Sequence, residues 1–113
     1  MVCRNCDIFM ARLSEDADGG SLQAGVRPVL IVSNDKANQY SGVVTILPIT
    51  SKRKRALPTH VLLKGCGVVR QSIILAEQIT SINKSQLIRY MGSIKKTEYE
   101  GKVKQAIEIQ LNL

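Results

Sequence analysis

Short blocks of apolar residues, separated by polar and glycine-rich segments, set the pattern of this chain. Residues 7–13 mix Ile8, Phe9, Met10 and Ala11 over one strand length. Residues 28–32 are apolar at every position, as expected of a strand buried on both faces. Residues 43–49 are β-branched and strand-like, with Pro48 near the end, where an edge or bulge tolerates it. Residues 59–63, 71–79 and 89–94 read as three further strands, the second closing on Glu77-Gln78. Two helical turns are expected between them: one within 33–42, among Ser, Asn, Asp and Gly, and one at 83–87. Thr97-Glu98-Tyr99-Glu100 fits the capping box that opens a helix. Tyr99, Val103, Ala106, Ile107 and Gln110 or Leu111 then recur at helical spacing, a stripe that packs on a sheet. Six or so short strands and one terminal helix predict a mainly β fold, a small and strongly bent sheet or barrel.

The two blocks flanking residues 33–42 carry the chemistry. If they pair as antiparallel neighbours, Arg27 at the start of one lies beside Thr50 at the end of the other. A guanidinium offers a phosphate a planar fork of donors and stays charged at any usable pH. A hydroxyl beside it gives or takes one more hydrogen bond. Residues 14–25, polar and glycine-rich, form a loop of functional length before Arg27. Its acidic residues Glu15, Asp16 and Asp18 read equally as solvated side chains.

Charge sharpens this picture. The chain has 113 residues, a formal net charge of +7 and a pI near 9.6, which favours a polyanionic partner. Lys52, Arg53, Lys54 and Arg55 are consecutive and follow Thr50 after one residue, Ser51. Such a run is commonly a solvated loop, but beside a phosphate site it also guides RNA. One Phe, three Tyr and no Trp leave little for aromatic stacking of single strands. A composition 44% hydrophobic and 22% charged fits one folded domain over 1–113.

Other chemistries find less support. No apolar run approaches the ~18 residues of a membrane span. No secretory signal is visible and three cysteines make no disulfide framework, so the cytoplasm is the expected location. Cys3-Arg4-Asn5-Cys6 precedes a strand rather than opening a helix, against a redox role, and only Cys66 and His60 remain as further zinc ligands. No metal site and no cofactor are expected. His60, the single histidine, is the obvious candidate general base, although a histidine inside a strand is commonly structural. Phosphodiester chemistry without a metal then rests on cations, hydroxyls and one carboxylate. RNA supplies its own 2′-hydroxyl nucleophile, so the protein needs only to orient the chain, assist proton transfer and stabilise charge.

Several collinear segments carry a resemblance. Cys6-Asp7-Ile8, Gly25-Val26-Arg27-Pro28-Val29-Leu30-Ile31-Val32, Asn34-Asp35, Pro48-Ile49-Thr50-Ser51, Leu57-Pro58-Thr59-His60-Val61, the Glu77-Gln78 pair and Ala106-Ile107-Glu108-Ile109-Gln110-Leu111 resemble the MazF/PemK toxin endoribonucleases. The resemblance spans nearly the whole chain. It implies an SH3-like β-barrel of the CcdB/PemK type with a C-terminal helix, a homodimer, and an RNA groove across the dimer interface. It also implies metal-independent cleavage of single-stranded mRNA within a short sequence, giving 2′,3′-cyclic phosphate and 5′-hydroxyl ends. A labile acidic antitoxin is the implied protein partner. Carried over by position, Arg27 and Thr50 match the catalytic pair and Glu77 matches a carboxylate that acts in some members. Arg27 suits charge stabilisation, since guanidinium scarcely gives up its proton, which leaves Glu77 as the better proton acceptor. Ser21, Gln23, Asn34, Ser51 and Gln78 match as RNA contacts, joining the basic run 52–55.

The chain departs from the family pattern at two places. Asn5-Cys6-Asp7 stands where the family usually has Arg-Gly-Asp, and Thr80-Ser81-Ile82-Asn83 replaces a stretch with an arginine and an aspartate. Two alternatives stand beside the nuclease. CcdB gyrase poisons share the implied fold but depend on a C-terminal segment with Trp, which this chain lacks. A relative that binds RNA or antitoxin without cutting would be expected to lose Arg27 or Thr50.

Overall fold

The computed structural model describes residues 1–13 and 22–113. Its strands are β1 Asp7–Leu13, β2 Gly25–Ile31, β3 Val43–Thr50, β4 His60–Leu63, β5 Ser72–Leu75, β6 Thr80–Asn83 and β7 Leu87–Ser93. Helix α1 is Asp35–Tyr40 and helix α2 is Tyr99–Leu111, with single 3₁₀ turns at Ala76–Gln78 and Lys84–Gln86. All strand pairs are antiparallel, in the order β4-β5-β3-β2-β1-β7, with β6 also on β3. The expected bent sheet is built around β3.

β3 explains its own proline. Of the edge or bulge position expected for Pro48, the edge is not found: β3 is an interior strand, paired along both sides. Along one side it pairs with β6 over Val43, Val44, Thr45 and Ile46, then with β5 only at Ile49 and Thr50. Pro48 falls in the gap where one partner leaves and the next begins, so its missing N–H costs no bond on that side.

The strand expected over 71–79 stops at Leu75, where the chain turns through Ala76–Gln78 and starts again as β6. β6 has one buried side chain, Ile82, too little apolar signal for period-2 reading. The turn expected at 83–87 is the second 3₁₀ turn, closed by a reciprocal Asn83–Gln86 capping box.

Alternation along the strands divides the apolar side chains between two faces. Ile8, Leu30, Leu47, Ile49, Val61, Leu63 and Ile74 face α2, which buries Val103 and Ala106 against them. Phe9, Ala11, Leu13, Val29, Ile31, Val44, Ile46 and Ile82 form the other core. The α2 stripe is shorter than its spacing predicts: Tyr99 and Ile107 are half-buried, while Gln110 and Leu111 are exposed. The helix begins where expected, but the Thr97–Glu100 capping box does not form: Glu98 is the N-cap, without a side-chain cap bond, and the two side chains take other partners. Thr97 Oγ1 accepts the Tyr99 N–H at 3.1 Å, and the Glu100 carboxylate reaches back to the Lys96 N–H at 2.9 Å.

Candidate active site

The β2–β3 register decides whether Arg27 and Thr50 meet. Val29 lies opposite Pro48, Leu30 opposite Leu47 and Ile31 opposite Ile46. Two residues further along the same register Arg27 comes opposite Thr50, and directly opposed residues of an antiparallel pair share a face. Arg27, half-buried, is also fixed by β1, where it pairs with Ala11. Its Nε donates to the Ala24 carbonyl at 3.1 Å, which anchors the guanidinium through its inner nitrogen. Thr50 is buried, and its Oγ1 accepts the Lys52 N–H at 3.1 Å, so the hydroxyl proton is the donor that remains. That bond also sets how the basic run leaves the strand.

Pro48, the same-face neighbour of this pair, lines a groove of about 540 Å³. Leu22, Gln23, Glu77 and Gln78 wall it, and Ser81 and Gln86 close its far end. A second depression of about 500 Å³ shares Leu22, Glu77 and Gln78, and continues over Lys54, Arg55, Leu57 and His60. Glu77 and Gln78 thus stand where the two meet. Both come from the 3₁₀ turn, which is tied to the start of β4 by the Ala76 N–H on the Thr59 carbonyl at 3.0 Å. The buried Gln78 accepts the Gln23 N–H through Oε1 at 2.9 Å, joining the segment before β2 to the turn.

The Glu77 carboxylate is held at both oxygens. Thr59 Oγ1 donates to Oε1 at 3.0 Å, and His60 Nε2 lies 2.8 Å from Oε2. The His60 side chain is 6% exposed and that of Glu77 26%, so the carboxylate and not the imidazole faces solvent.

Of the residues expected at the site, Arg27, Thr50, Gln23, Glu77 and Gln78 gather at this end of the sheet. Ser51, Lys52, Arg53, Lys54 and Arg55 are exposed in the loop that follows, with Lys54 and Arg55 on the second depression. Asn34 is not among them. It lies beyond the other end of β2, which is already about 13 Å from Arg27 at Ile31 by the rise of extended chain. There it caps α1, its side chain accepting the Ala37 N–H at 2.8 Å. Ser21, with Glu15, Asp16 and Asp18, lies outside the described residues. Thr59 had no place in the expected site. Its partner is 18 positions away in sequence, a distance no local pattern spans.

The CxxC thiols do not converge on a common site. Cys3 packs with the Phe9 cluster and Cys6 with the Ile8 cluster. Burial, then the hydrogen bond to Glu100, pushes the Cys6 thiol up to about 11. Among the described residues, no three of His, Cys, Asp and Glu gather as metal ligands.

A family model for the PemK-like, MazF-like toxins of type II toxin–antitoxin systems matches residues 4–111. The chain belongs to this family. Endoribonuclease EndoA of Bacillus subtilis is 39% identical over 116 aligned positions, covering all of this chain and 97% of the relative. Endoribonuclease MazF of Staphylococcus saprophyticus is 37% identical, covering 97% of this chain and 92% of the relative. Among solved structures, MazF from Deinococcus radiodurans superposes with a TM-score of 0.81 at 22% identity, over 100% of this chain and 99% of that one. A mycobacterial endoribonuclease solved with its cognate antitoxin gives 0.77 at 23% identity, over 98% and 96%. These two share the fold. The MazF/PemK toxin thus places its Arg27–Thr50 pair and its Glu77–Gln78 turn on a frame common to the family.

Proposed function

We propose that this MazF/PemK toxin is a sequence-specific endoribonuclease that cuts single-stranded mRNA in the cytoplasm without a metal ion and is silenced by an acidic antitoxin. The observation that carries this reading is the shared face of Arg27 and Thr50, beside a groove whose wall holds Glu77. Endoribonuclease relatives aligned over 97–100% of the chain support the same activity. The basic loop after Thr50 draws in the RNA backbone, and the same positive surface suits an acidic protein competing for the groove. A homodimer, as the resemblance implies, would lay two such grooves along one strand of RNA.

In the cleavage step the 2′-oxygen bonds to the adjacent phosphorus as the phosphorus–O5′ bond breaks. Glu77 takes the proton of the 2′-hydroxyl, and O5′ leaves and picks up a proton from solvent. The products are a 2′,3′-cyclic phosphate and a 5′-hydroxyl, and no water is consumed. Arg27 bears on the non-bridging oxygens, where charge grows in the transition state, through its outer nitrogens. Thr50 offers its remaining proton on the same face.

The deciding experiment incubates the purified protein with a long single-stranded RNA in excess EDTA. Discrete fragments with cyclic-phosphate and 5′-hydroxyl ends are expected, and mapping those ends gives the recognised sequence. Bound but intact RNA would leave a binding-only protein. RNA neither bound nor cut would turn attention to gyrase.

A further inference from the structure

Thr59 and His60, we infer, are positioning residues that aim the Glu77 carboxylate into the RNA groove. The inference rests on the reading of Glu77 as proton acceptor and extends it to the two side chains that hold that carboxylate.

The geometry is specific to orientation. Each carboxylate oxygen has one protein donor, Thr59 Oγ1 at 3.0 Å on Oε1 and His60 Nε2 at 2.8 Å on Oε2. One bond per oxygen fixes the rotation of the group about its last torsion, which is otherwise broad. It leaves each oxygen further lone pairs for a substrate proton. Both holders are themselves rigid. Thr59 is buried, the His60 N–H bonds to the Leu57 carbonyl at 3.0 Å, and His60 pairs with Leu75 across β4 and β5.

The second nitrogen of His60 separates positioning from packing. Nδ1 is buried and makes no hydrogen bond among the described residues. Buried polar atoms are almost always paired, and an apolar side chain would occupy this place without leaving one unpaired. Among the described residues the one polar contact that the imidazole makes is Glu77, which assigns its proton to Nε2 and its role to the carboxylate. His60 borders the second depression, but with its side chain 6% exposed and Nε2 engaged by Glu77 it acts through that carboxylate and not as the base.

The test is a cycle of variants measured by single-turnover cleavage of one RNA from pH 5 to 9. Glu77→Gln, His60→Phe and the double variant are compared, with thermal melts to confirm folding. His60→Phe is expected to lower the cleavage rate at saturating RNA about 10- to 100-fold, as misplacement of a reacting group does, with the RNA concentration at half-rate nearly unmoved. In the Glu77→Gln background His60→Phe should cost nothing more. Thr59→Val should repeat the loss in smaller measure and Thr59→Ser should restore it. These last two serve if His60→Phe melts early. An undiminished loss in the Glu77→Gln background, or wild-type rates in folded His60→Phe and Thr59→Val, overturns the positioning role. Wild-type rates in Glu77→Gln overturn instead the reading of Glu77 as acceptor, and the positioning role with it.

Discussion

The clamp around Glu77 and the basic loop before it are neighbours in space and opposites in construction. Thr59, His60 and Glu77 are joined by short side-chain bonds on a backbone that is itself hydrogen-bonded. Lys52, Arg53, Lys54 and Arg55 are all exposed on a loop without regular structure. Electrostatic capture needs only charge near the path of the RNA and tolerates a loose chain. Proton transfer needs an atom held to a fraction of an ångström, and a loose chain cannot supply that. On the proposed function, the two tasks would be built from different material within one groove.

Substitutions can set the two regions against each other. Removing the guanidinium should do most: Arg27→Ala is expected to lower the cleavage rate about 10³-fold, with circular dichroism and the melt unchanged. A near wild-type rate would remove Arg27 from the site. Glu77→Gln should follow with a loss of about 10²-fold in the single-turnover rate, at little cost in RNA affinity. Replacing Lys52, Arg53, Lys54 and Arg55 together by alanine should show the other signature. The rate at saturation holds within a few-fold while affinity falls, and the slope of log affinity against log salt shrinks by about 0.7 for each phosphate no longer neutralised. An unchanged salt slope would make the run a solvated loop and nothing more.

Asn34→Ala tests a residue the structure takes away from both regions. Loss of the α1 cap should lower stability by about 1 kcal/mol in urea unfolding. A tenfold loss of RNA affinity would return Asn34 to the RNA surface. Acid should give the smallest effect. The Asn5 N–H holds the Asp35 carboxyl below its usual range, and the Lys96 N–H does the same for Glu100. A carboxylate with a depressed folded value stabilises above its unfolded pKa and loses that contribution as pH falls through the folded one. Melts between pH 5 and 2 should therefore decline less steeply for Asp35→Asn and Glu100→Gln than for the parent.

Much of this could be read along the chain, and the misses share a cause. β1 matches its apolar block end to end, because its pattern reports local burial. Arg27 and Thr50 were legible because their strands neighbour each other in sequence and antiparallel pairing brings their outer ends together. Pro48 misled because strand reading assumes one partner along each side, whereas β3 changes partners beside it. The short β5, and β6 with its one buried residue, carry too little periodicity to show the break between them. The Glu77 clamp depends on β4 lying beside β5, a long-range fact that propensity does not encode. His60 could be singled out as the lone histidine, but its bond to Glu77 could not.

Cys6 takes a backbone φ of 75°, a conformation natural to glycine, and its thiol meets the Glu100 carboxylate 94 positions later in the chain. Burial, and then this hydrogen bond, holds its value near 11, so its reactive thiolate form is scarce at neutral pH while the thiol stays covered. Opening that both breaks the bond and exposes the sulfur would bring it back toward an ordinary thiol. Cys6 is thus a built-in clock: its rate of capture by a thiol reagent, beside that of the half-exposed Cys66, times how often the two ends of the chain come apart.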